Sequence, residues 1–311
     1  MPLITVAICT RNRVAMLEKA VASVRAQMEG QAELLIVDNG STDGTPGVIK
    51  TICTADPRIK YLHEPQTGLS HARNLALRRA VGEWVIFLDD DATAQPGWLA
   101  AYESFFAGLP APQITVAGGP VLPDYETPPP AWLKPGAASF HNADITRLCA
   151  PAEHPWGCNY AVRRTAALGG GGFNAALGHC GQSLGAYEEI ELTERLRRAG
   201  GEVWLVADAC IKHFVAAERL RLGWQARCAF GQGRSRAIRR LAERKTRGQR
   251  IRFIVGRTII APFHGGINAL VALLTLPFKR RRLAADAWLR AASVAGFTCE
   301  LSRQVFSTKR A

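Results

Sequence analysis

Short apolar runs alternate with amphipathic segments along the first third of the chain. The runs Leu3–Cys9, Glu33–Val37 and Val85–Leu88 have the length and β-branched content of strands buried on both faces, which occur mostly in helix-covered parallel sheets. Between the first two, residues 14–24 repeat apolar side chains with a period of about 3.6, and Gly30 ends this helical pattern. This order predicts right-handed βαβ units and an α/β fold with a mostly parallel, Rossmann-like sheet.

Polar residues follow each predicted strand. They are Thr10, Arg11, Asn12 and Arg13 after the first strand, Asp38 after the second, and Asp89, Asp90 and Asp91 after the third. Open α/β sheets bind their ligands at the carboxyl ends of their strands. An acid at the tip of the second strand can accept a hydrogen bond from the base or ribose of a nucleotide, although an Asp before a Gly turn is also a common turn residue.

Three consecutive carboxylates at one strand end repel one another unless a cation neutralises them. Oxygen ligands favour a hard divalent ion, Mg²⁺ or Mn²⁺, shared with the phosphates of a substrate. The alternative is a solvated acidic turn that caps a following helix, with Asp91 or Thr93 as the capping residue. The sequence around the strand favours the metal site.

Two further segments carry candidate chemistry. The segment from Gln66 predicts a helix with a capped start that ends near Gly82 and holds Arg73 and Asn74 in its first turns. A guanidinium there can reach a base edge or a phosphate. Later, Glu188 and Glu189 begin another predicted helix, which is stopped by two glycines and followed by a strand at residues 203–206. Acids at a helix start also favour the helix dipole, so this pair has a purely structural alternative.

The segments V-A-I-C-T-R-N-R, I-V-D-N-G-S-T-D-G-T, G-L-S-H-A-R-N, F-L-D-D-D-A and Y-E-E-I-E-L-T-E-R-L occur in this order between about residues 3 and 215. Together they resemble a family-2 glycosyltransferase with the GT-A fold. The resemblance implies that Asp38 holds a pyrimidine, Arg73 the base or diphosphate, Asp89 the ribose and metal region, and Asp91 the metal. The first loop, Asn74 and Asp90 complete the expected nucleotide-sugar site.

The resemblance also implies a reaction. Glu189, with Glu188 beside it, matches the position of the catalytic base, although the family usually has Asp there. A carboxylate that takes the proton of an acceptor hydroxyl during attack, on the face opposite the leaving group, gives single displacement with inversion. The metal stabilises the departing diphosphate. The chain lacks the Q-x-x-R-W segment of the processive relatives, so we expect one sugar to be added per encounter.

The segments between these motifs predict the acceptor side. Residues 115–121 predict a strand, whereas residues 123–135 contain five prolines and predict irregular structure. This segment, with Trp132, is either a flap over the sugar site or a linker. Gly157 and Asn159 resemble a G-x-N strand near donor and acceptor. His213 stands where relatives often have a histidine that reaches the metal, although a histidine at a strand end is commonly structural.

Charge is divided unevenly along the 311 residues. Residues 219–311 contain 21 Lys and Arg against 3 Asp and Glu, a net charge of +18, whereas residues 1–218 have a net charge of −5. We therefore predict a catalytic domain at 1–218, with nucleotide-sugar binding in 1–120 and the acceptor part in 121–218, followed by a basic helical region at 219–311. A basic tail predicts an anionic partner surface, either membrane or nucleic acid, unless it is only a solvated face.

The basic region contains one uncharged stretch. Residues 258–278 lack Asp, Glu, Lys and Arg and are long enough to span a bilayer, but they include prolines, glycines, His264 and Asn268. Residues 279–282 then read Lys-Arg-Arg-Arg. This combination favours a helix or hairpin in the interface of an anionic leaflet over a spanning helix.

Other features concern compartment and partners. Eight cysteines without metal-site spacing predict buried free thiols, and the absence of a signal-peptide pattern predicts a cytoplasmic protein on the inner face of the cell membrane. Nucleic acid is not expected, because the tail lacks a zinc-finger or RNA-recognition motif. A nucleotidyltransferase is one alternative, but its glycine-rich loop with a lysine is replaced by T-R-N-R. A non-catalytic protein that binds nucleic acid or membrane is the other, but residues 1–218 keep the motifs that a catalyst needs. We expect a UDP- or dTDP-sugar donor, Mn²⁺ or Mg²⁺, and a hydroxyl acceptor on a lipid-linked or membrane-proximal glycan.

Overall fold

The computed structural model describes residues 4–29, 32–108, 113–133, 144–180, 184–244, 246–275 and 281–307. The chain forms two compact units. Unit 1 comprises residues 1–124, 138–175 and 188–214, and unit 2 comprises residues 125–137, 176–187 and 215–311. Unit 2 therefore contains the basic region and two segments that interrupt unit 1 in the sequence.

All of the described strands start in unit 1. They also end there, except for β7 and β11, whose last residues belong to unit 2. They are β1 (Ile4–Thr10), β2 (Glu33–Asp38), β3 (Ile59–His63), β4 (Trp84–Leu88), β5 (Ala92–Ala94), β6 (Ile114–Gly118), β7 (Val121–Tyr125), β8 (Arg147–Leu148), β9 (Asn159–Arg163), β10 (Glu202–Leu205) and β11 (Ile211–Val215). The helices of unit 1 are α1 (Val14–Arg25), α2 (Thr45–Ala55), α3 (Leu69–Arg79), α4 (Trp98–Gly108), α5 (Arg164–Gly169) and α6 (Glu188–Arg198).

The main sheet has the order β3-β2-β1-β4-β9-β6-β10-β8 among the described residues. β1 pairs in parallel with β2 and β4, and β2 pairs in parallel with β3. β9 is antiparallel to both β4 and β6. The mostly parallel half therefore aligns the carboxyl ends of β1, β2 and β4 along one edge, as the apolar runs predicted.

Both faces of this half of the sheet are buried. Ile8 and Ile36 point to one face, where they pack with α1 and α4 in a shared core cluster. Ala7 precedes Ile8 and Val37 follows Ile36 in the sequence. Both belong to a second core cluster, on the other face of the sheet, with residues of α3 and α6. Because adjacent side chains of a strand alternate between faces, burial on both sides explains the continuous apolar runs.

A small sheet of the order β5-β11-β7 excludes one alternative and corrects one expectation drawn from the sequence. The acidic triplet does not cap a helix: the backbone N–H of Ala92 donates to the carbonyl of Asp89 at 3.0 Å, and β5 follows. Pro123 lies within β7 and not in an irregular segment. Because β7 is an outer strand of the small sheet, it tolerates a residue without an N–H.

Unit 2 is helical in its carboxyl-terminal part. A short 3-10 helix, Ala217–Leu220, precedes α7 (Leu222–Ala242), α8 (Arg247–Thr275) and α9 (Arg281–Ser307). By length and composition α8 could cross a membrane, with a mean hydropathy of 1.5 and 6% of its apolar window buried. The end of the uncharged stretch and residues 279–280 lie outside the described residues. The eight cysteines are free, but Cys180 and Cys299 are exposed, so the prediction that they are buried holds only in part.

Candidate active site

The carboxyl ends of β1, β2 and β4 lie side by side. Thr10, the last residue of β1, is in register with Asp38, the last residue of β2. The hydroxyl of Thr10 also donates to Oδ2 of Asp90 at 2.8 Å. Three polar positions that the sequence separates by tens of residues thus form one continuous edge.

The three acids after β4 have different surroundings. The side chain of Asp89 is 32% exposed, whereas Asp90 and Asp91 are buried. Nη1 of Arg13 donates to Oδ1 of Asp90 at 2.9 Å and to Oδ2 of Asp91 at 3.1 Å. Burial raises the pKa of Asp90 to about 6, Arg13 opposes this increase, and the charge of Asp91 adds to it. Like charges at close range are costly here, and Arg13 partly neutralises them.

His213 lies beside Asp91. β11 pairs antiparallel with β5, which sets His213 opposite Ala92, and Nε2 of His213 is 3.1 Å from Oδ1 of Asp91. The ligand atoms of Asp89, Cys158 and His213 lie within 4.8 Å of one another. Burial raises the pKa of Cys158 well above its ordinary value, which disfavours the thiolate that a metal would require.

This donor set fits a divalent cation. A ligand atom of His213 lies within 4.8 Å of one of Asp89, and its Nε2 lies 3.1 Å from Oδ1 of Asp91, so His213 adjoins two carboxylates. Carboxylates suit Mg²⁺ and Mn²⁺, and the additional nitrogen ligand favours the transition metal.

The loops after β1 and β2 are tied together by short polar contacts. Asn12, whose φ is +55°, accepts the N–H of Thr42 at 2.7 Å on its side-chain oxygen. Asp38 is almost fully buried: Oδ1 accepts the N–H of Ser41 at 2.8 Å and Oδ2 accepts the hydroxyl of Tyr61 at 3.0 Å. Burial, together with Asp38, raises the pKa of Tyr61 to about 12. Asp38 therefore organises this loop in addition to any contact with a base.

Asn39 is a site-organising residue that the sequence reasoning missed. Its side chain accepts the N–H of Gly68 at 2.7 Å and donates to the carbonyls of Glu64 and Gln66 at 3.1 and 2.8 Å. It joins the end of β2 to the start of α3. The available signal was Asn39 itself, at the start of the turn that follows the strand, but no rule of local spacing connects it with Gly68.

Arg73 lies at the centre of the site. Its guanidinium is 2% exposed and donates to Oε1 of Glu188 at 2.8 Å, to Oδ1 of Asp89 at 3.1 Å and to the carbonyl of Gly157 at 2.8 Å. It also lies over the rings of Phe87 and Phe173, 5.5 and 5.6 Å from their centroids. The acidic triplet and the start of α6 thus share one cation.

Glu189 follows Glu188 at the start of α6 and also lies near the guanidinium of Arg73. A Cβ on Gly157 would lie 3.0 Å from both terminal nitrogens of Arg73 and 3.4 Å from Cδ of Glu189. Burial raises the pKa of Glu189 to about 8, the charge of Glu188 adds to the increase, and Arg73 opposes it. A carboxyl with this pKa is suited to exchange a proton near neutral pH.

Asn159 does not belong to the sugar pocket expected from the sequence. It is fully buried, and its side-chain oxygen accepts from Trp98 Nε1 at 3.0 Å and from the hydroxyl of Tyr102 at 2.9 Å. Its amide nitrogen donates to the carbonyls of Pro120 and Ala209 at 3.3 and 2.8 Å. With its hydrogen-bonding capacity used inside the core, Asn159 joins strands and α4 and has no face left for a sugar.

Three other predicted residues have different surroundings. Both polar atoms of the Asn74 side chain bond the backbone of Phe173, each at 2.8 Å. Arg11 is exposed in the loop after β1. Trp132 is half-buried in unit 2, in a segment whose following residues, 134–143, lie outside the described part of the chain.

Comparison with known proteins agrees with this geometry. The family described as "Glycosyl transferase family 2" matches residues 5–121. The succinoglycan biosynthesis protein ExoM of Rhizobium meliloti is 26% identical over 299 residues, covering 94% of this chain and 92% of that protein. The glucosyl-dolichyl phosphate glucuronosyltransferase of Haloferax volcanii is 25% identical, covering 76% of each.

A solved structure shares the fold. The mannosyltransferase PcManGT from Pyrobaculum calidifontis, in complex with GDP-Man and Mn²⁺, superposes with a TM-score of 0.59 at 18% identity, covering all of this chain and 76% of that one. The family profile, the full-length relative and the shared architecture confirm the resemblance drawn from the motifs. Residues 5–121 therefore carry the family-2 glycosyltransferase domain, and the chain has the GT-A fold.

Proposed function

We propose that this enzyme transfers one sugar per encounter, with inversion, from a UDP- or dTDP-sugar to a hydroxyl of a lipid-linked or membrane-proximal glycan, with Mn²⁺ or Mg²⁺ as cofactor. The observation that carries the proposal is the position of Arg73 between Asp89 and Glu188. One buried cation in contact with both carboxylate segments brings a candidate donor site and a candidate base together. Inverting transfer requires these two functions in one cavity.

Glu189 is the proposed base. Glu189 is half-buried, and the resulting loss of solvation raises its pKa to about 8, so its affinity for a proton is higher than that of an ordinary glutamate. An acceptor hydroxyl is a weak nucleophile until its proton is removed during attack. Glu189 would take that proton, and Glu188, held by Arg73, would fix the start of α6 so that Glu189 faces the acceptor.

Asp89, Asp91 and His213 would hold the divalent ion. When bound, the ion acts as a Lewis acid that stabilises the negative charge of the departing diphosphate. Arg13 contacts the same acids and would supply additional positive charge at this edge of the sheet. These residues orient the donor, and the buried surroundings of Asp90 and Asp91 strengthen their interaction with a cation.

The nucleotide preference rests on Asp38. A carboxylate accepts from the N3–H of uracil or thymine, whereas N3 of cytosine is itself an acceptor. Asp38 is anchored by Ser41 and Tyr61, which would fix its direction for such a contact. The structurally similar mannosyltransferase holds GDP-Man, so similarity of fold does not decide the base.

The acceptor class and location are supported by the relatives and by unit 2. One relative is named for succinoglycan biosynthesis and another for a glucosyl-dolichyl phosphate substrate, which supports polysaccharide or glycolipid synthesis close to a membrane. The basic region with its long apolar helix α8 is consistent with attachment to the inner face of an anionic membrane.

A donor panel tests the proposal. The purified full-length protein is incubated with UDP-, dTDP-, GDP- and CDP-sugars and Mn²⁺, and the release of nucleoside diphosphate is measured with and without a lipid-extract acceptor. We expect release with one UDP- or dTDP-sugar, increased by the acceptor and absent in Glu189→Gln. Turnover of only a GDP-sugar would overturn the pyrimidine preference, and undiminished release by Glu189→Gln would overturn the assignment of the base.

A further inference from the structure

Helix α8 carries an apolar stripe on its outer face. Phe263, Ile267, Leu270 and Leu274 are 72, 59, 55 and 59% exposed. Their spacing of four, three and four residues places them on one side of a helix. Large contiguous apolar surface at this level of exposure marks a surface that contacts a partner or a membrane. We call these four residues the α8 stripe.

The opposite side of α8 packs within unit 2. Ala261 and Ala272 are buried, and a Cβ on Gly265 would lie 3.3 Å from Val294 of α9. Helix α8 therefore turns its small residues toward α9 and its large apolar residues away from it. In a helix that only completed a protein core the distribution would be reversed, because large side chains gain most from burial.

A cleft of about 220 Å³ lies between α7, α8 and α9. Its polar lining comprises Arg236, Arg240, Arg257, His264 and Ser293, which we call the basic cleft. Its remaining lining is apolar and consists of Ile260, Ala261, Val294 and Phe297. Because Ile260 and His264 flank Phe263 along α8, the basic cleft borders the start of the α8 stripe.

The arginines of the basic cleft have unused capacity. Within the described residues, no carboxylate forms an ion pair with Arg236, Arg240 or Arg257. Arg236 donates to the hydroxyl of Ser293 through one terminal nitrogen. Its buried Nε has no hydrogen-bond partner among the residues that the structure describes. A buried donor without a partner is costly, and an anion in the cleft would satisfy it. The planar fork of a guanidinium suits phosphate oxygens.

We propose that the basic cleft binds the headgroup phosphate of an anionic phospholipid while the α8 stripe lies among the lipid chains. This inference rests on the membrane attachment in the proposed function and identifies the surface responsible. A soluble phosphate would account for the arginines but leave the stripe in water. An anionic lipid accounts for both, because its charge and its hydrocarbon lie as close together as the cleft and the stripe.

Vesicle flotation of the full-length protein, without donor or acceptor, tests the proposal. We expect binding to phosphatidylcholine vesicles containing phosphatidylglycerol, and at least tenfold weaker binding to phosphatidylcholine alone. The variant Arg236→Gln/Arg240→Gln/Arg257→Gln should weaken binding to the anionic vesicles about tenfold. The matched variant Arg247→Gln/Arg250→Gln/Arg252→Gln removes the same charge from exposed positions of α8 and should weaken it less than threefold. Equal losses of vesicle binding by the two triple variants would mean that only net charge matters, and would overturn the assignment of the cleft as the binding site.

Vesicle binding of two other sets of variants tests the proposal if the cleft variant fails to fold. Arg257 is exposed, so Arg257→Gln can be compared directly with Arg252→Gln on the same helix. Phe263→Ser/Leu270→Ser changes only exposed side chains of the stripe and should weaken vesicle binding about tenfold. Unchanged binding by this variant would overturn the role of the stripe.

Two controls distinguish a lipid headgroup from a soluble anion and an interfacial helix from a spanning one. Inorganic phosphate is compared with sodium chloride at the same ionic strength, and most of the protein should stay on the vesicles in phosphate. Complete release of the protein by phosphate alone would assign the cleft to a soluble anion. Alkaline carbonate should strip the protein from the vesicles. Protein that stays on the vesicles in carbonate would indicate that α8 spans the membrane, and would overturn its interfacial position. Because the assay contains no sugar donor, its failure would leave the transferase proposal intact.

Discussion

Arg73 of α3 donates a hydrogen bond of 2.8 Å to Glu188 at the first position of α6, and both side chains are buried. The same guanidinium reaches Asp89 at the end of β4. Removing one partner of a buried pair leaves an uncompensated charge, which is costly. The pair therefore holds the base-bearing helix in a fixed position relative to the acidic triplet.

The first prediction concerns this pair. Arg73→Met should lower the free energy of unfolding by about 3–5 kcal/mol, because Glu188 would remain buried without a counterion. Urea denaturation of the purified protein measures the change. The control Arg198→Gln breaks an exposed pair with Glu194 on α6 and should cost no more than about 0.5 kcal/mol.

A double variant separates the charge from the packing. In Arg73→Met/Glu188→Gln the lone charge is absent, so part of the stability should return. If the double variant is as unstable as the sum of the single variants, the two residues are not energetically coupled.

The second prediction concerns the base. Glu189→Gln preserves size but removes the proton acceptor, so turnover should fall about 10²-fold or more while donor binding stays close to normal. Steady-state kinetics and thermal shift with nucleoside diphosphate measure the two quantities. Should Glu188→Gln prove to be the inactive variant with an intact fold, the catalytic carboxylate would be Glu188.

The third prediction concerns pH. The base must be deprotonated before it can accept a proton, and burial raises the pKa of Glu189 to about 8. The rate constant for transfer should therefore increase about tenfold per pH unit below 8 and level off above it. A rate that stays constant between pH 6 and 8 in single-turnover experiments would contradict this assignment.

Stability should move in the opposite direction. Since the folded-state pKa of Glu189 lies above its ordinary value of 4.5, the folded protein binds the extra proton between these values. The resulting stability is present below pH 4.5 and is lost as the pH rises through about 8. The melting temperature of the natural protein should thus decline relative to that of Glu189→Gln between pH 6 and 9, and calorimetry tests this.

The fourth prediction concerns the metal. Excess chelator should abolish transfer, and Mn²⁺ should restore it. Asp91→Asn and His213→Ala should each weaken Mn²⁺ binding at least tenfold, because each removes one of the proposed ligands. Calorimetric titration with Mn²⁺ in the presence of UDP measures the affinity, and circular dichroism verifies the fold. Full activity in excess chelator would rule out the metal-dependent mechanism.

The fifth prediction concerns the nucleotide. UDP or dTDP with Mn²⁺ should raise the melting temperature of the natural protein, and CDP should protect it much less. Asp38→Asn retains one side-chain oxygen for the N–H of Ser41, and its amide nitrogen can donate to the hydroxyl of Tyr61. It should nevertheless reduce protection by UDP, because an amide is a weaker acceptor than a carboxylate. Equal protection by UDP and CDP would remove Asp38 from base recognition.

The sequence by itself determined the βαβ units and the position of the acidic triplet. The run before Asp89 is apolar at every position because β4 is buried on both faces, and this local pattern needs no knowledge of distant residues. The ordered motifs likewise identified the family, because each motif is a short contiguous stretch of the chain. Local periodicity and local motifs were sufficient for these conclusions.

Only the tertiary structure decided which residues share a contact. Asn159 matched a sugar-binding motif, yet it bonds Trp98, Tyr102, Pro120 and Ala209 inside the core. Arg73 was expected to contact the nucleotide, and its partners are Glu188, Asp89 and Gly157. Hydrogen bonds and ion pairs form between atoms brought within about 3 Å of one another by packing. The sequence specifies which groups need partners, but the packing of distant elements selects the partners.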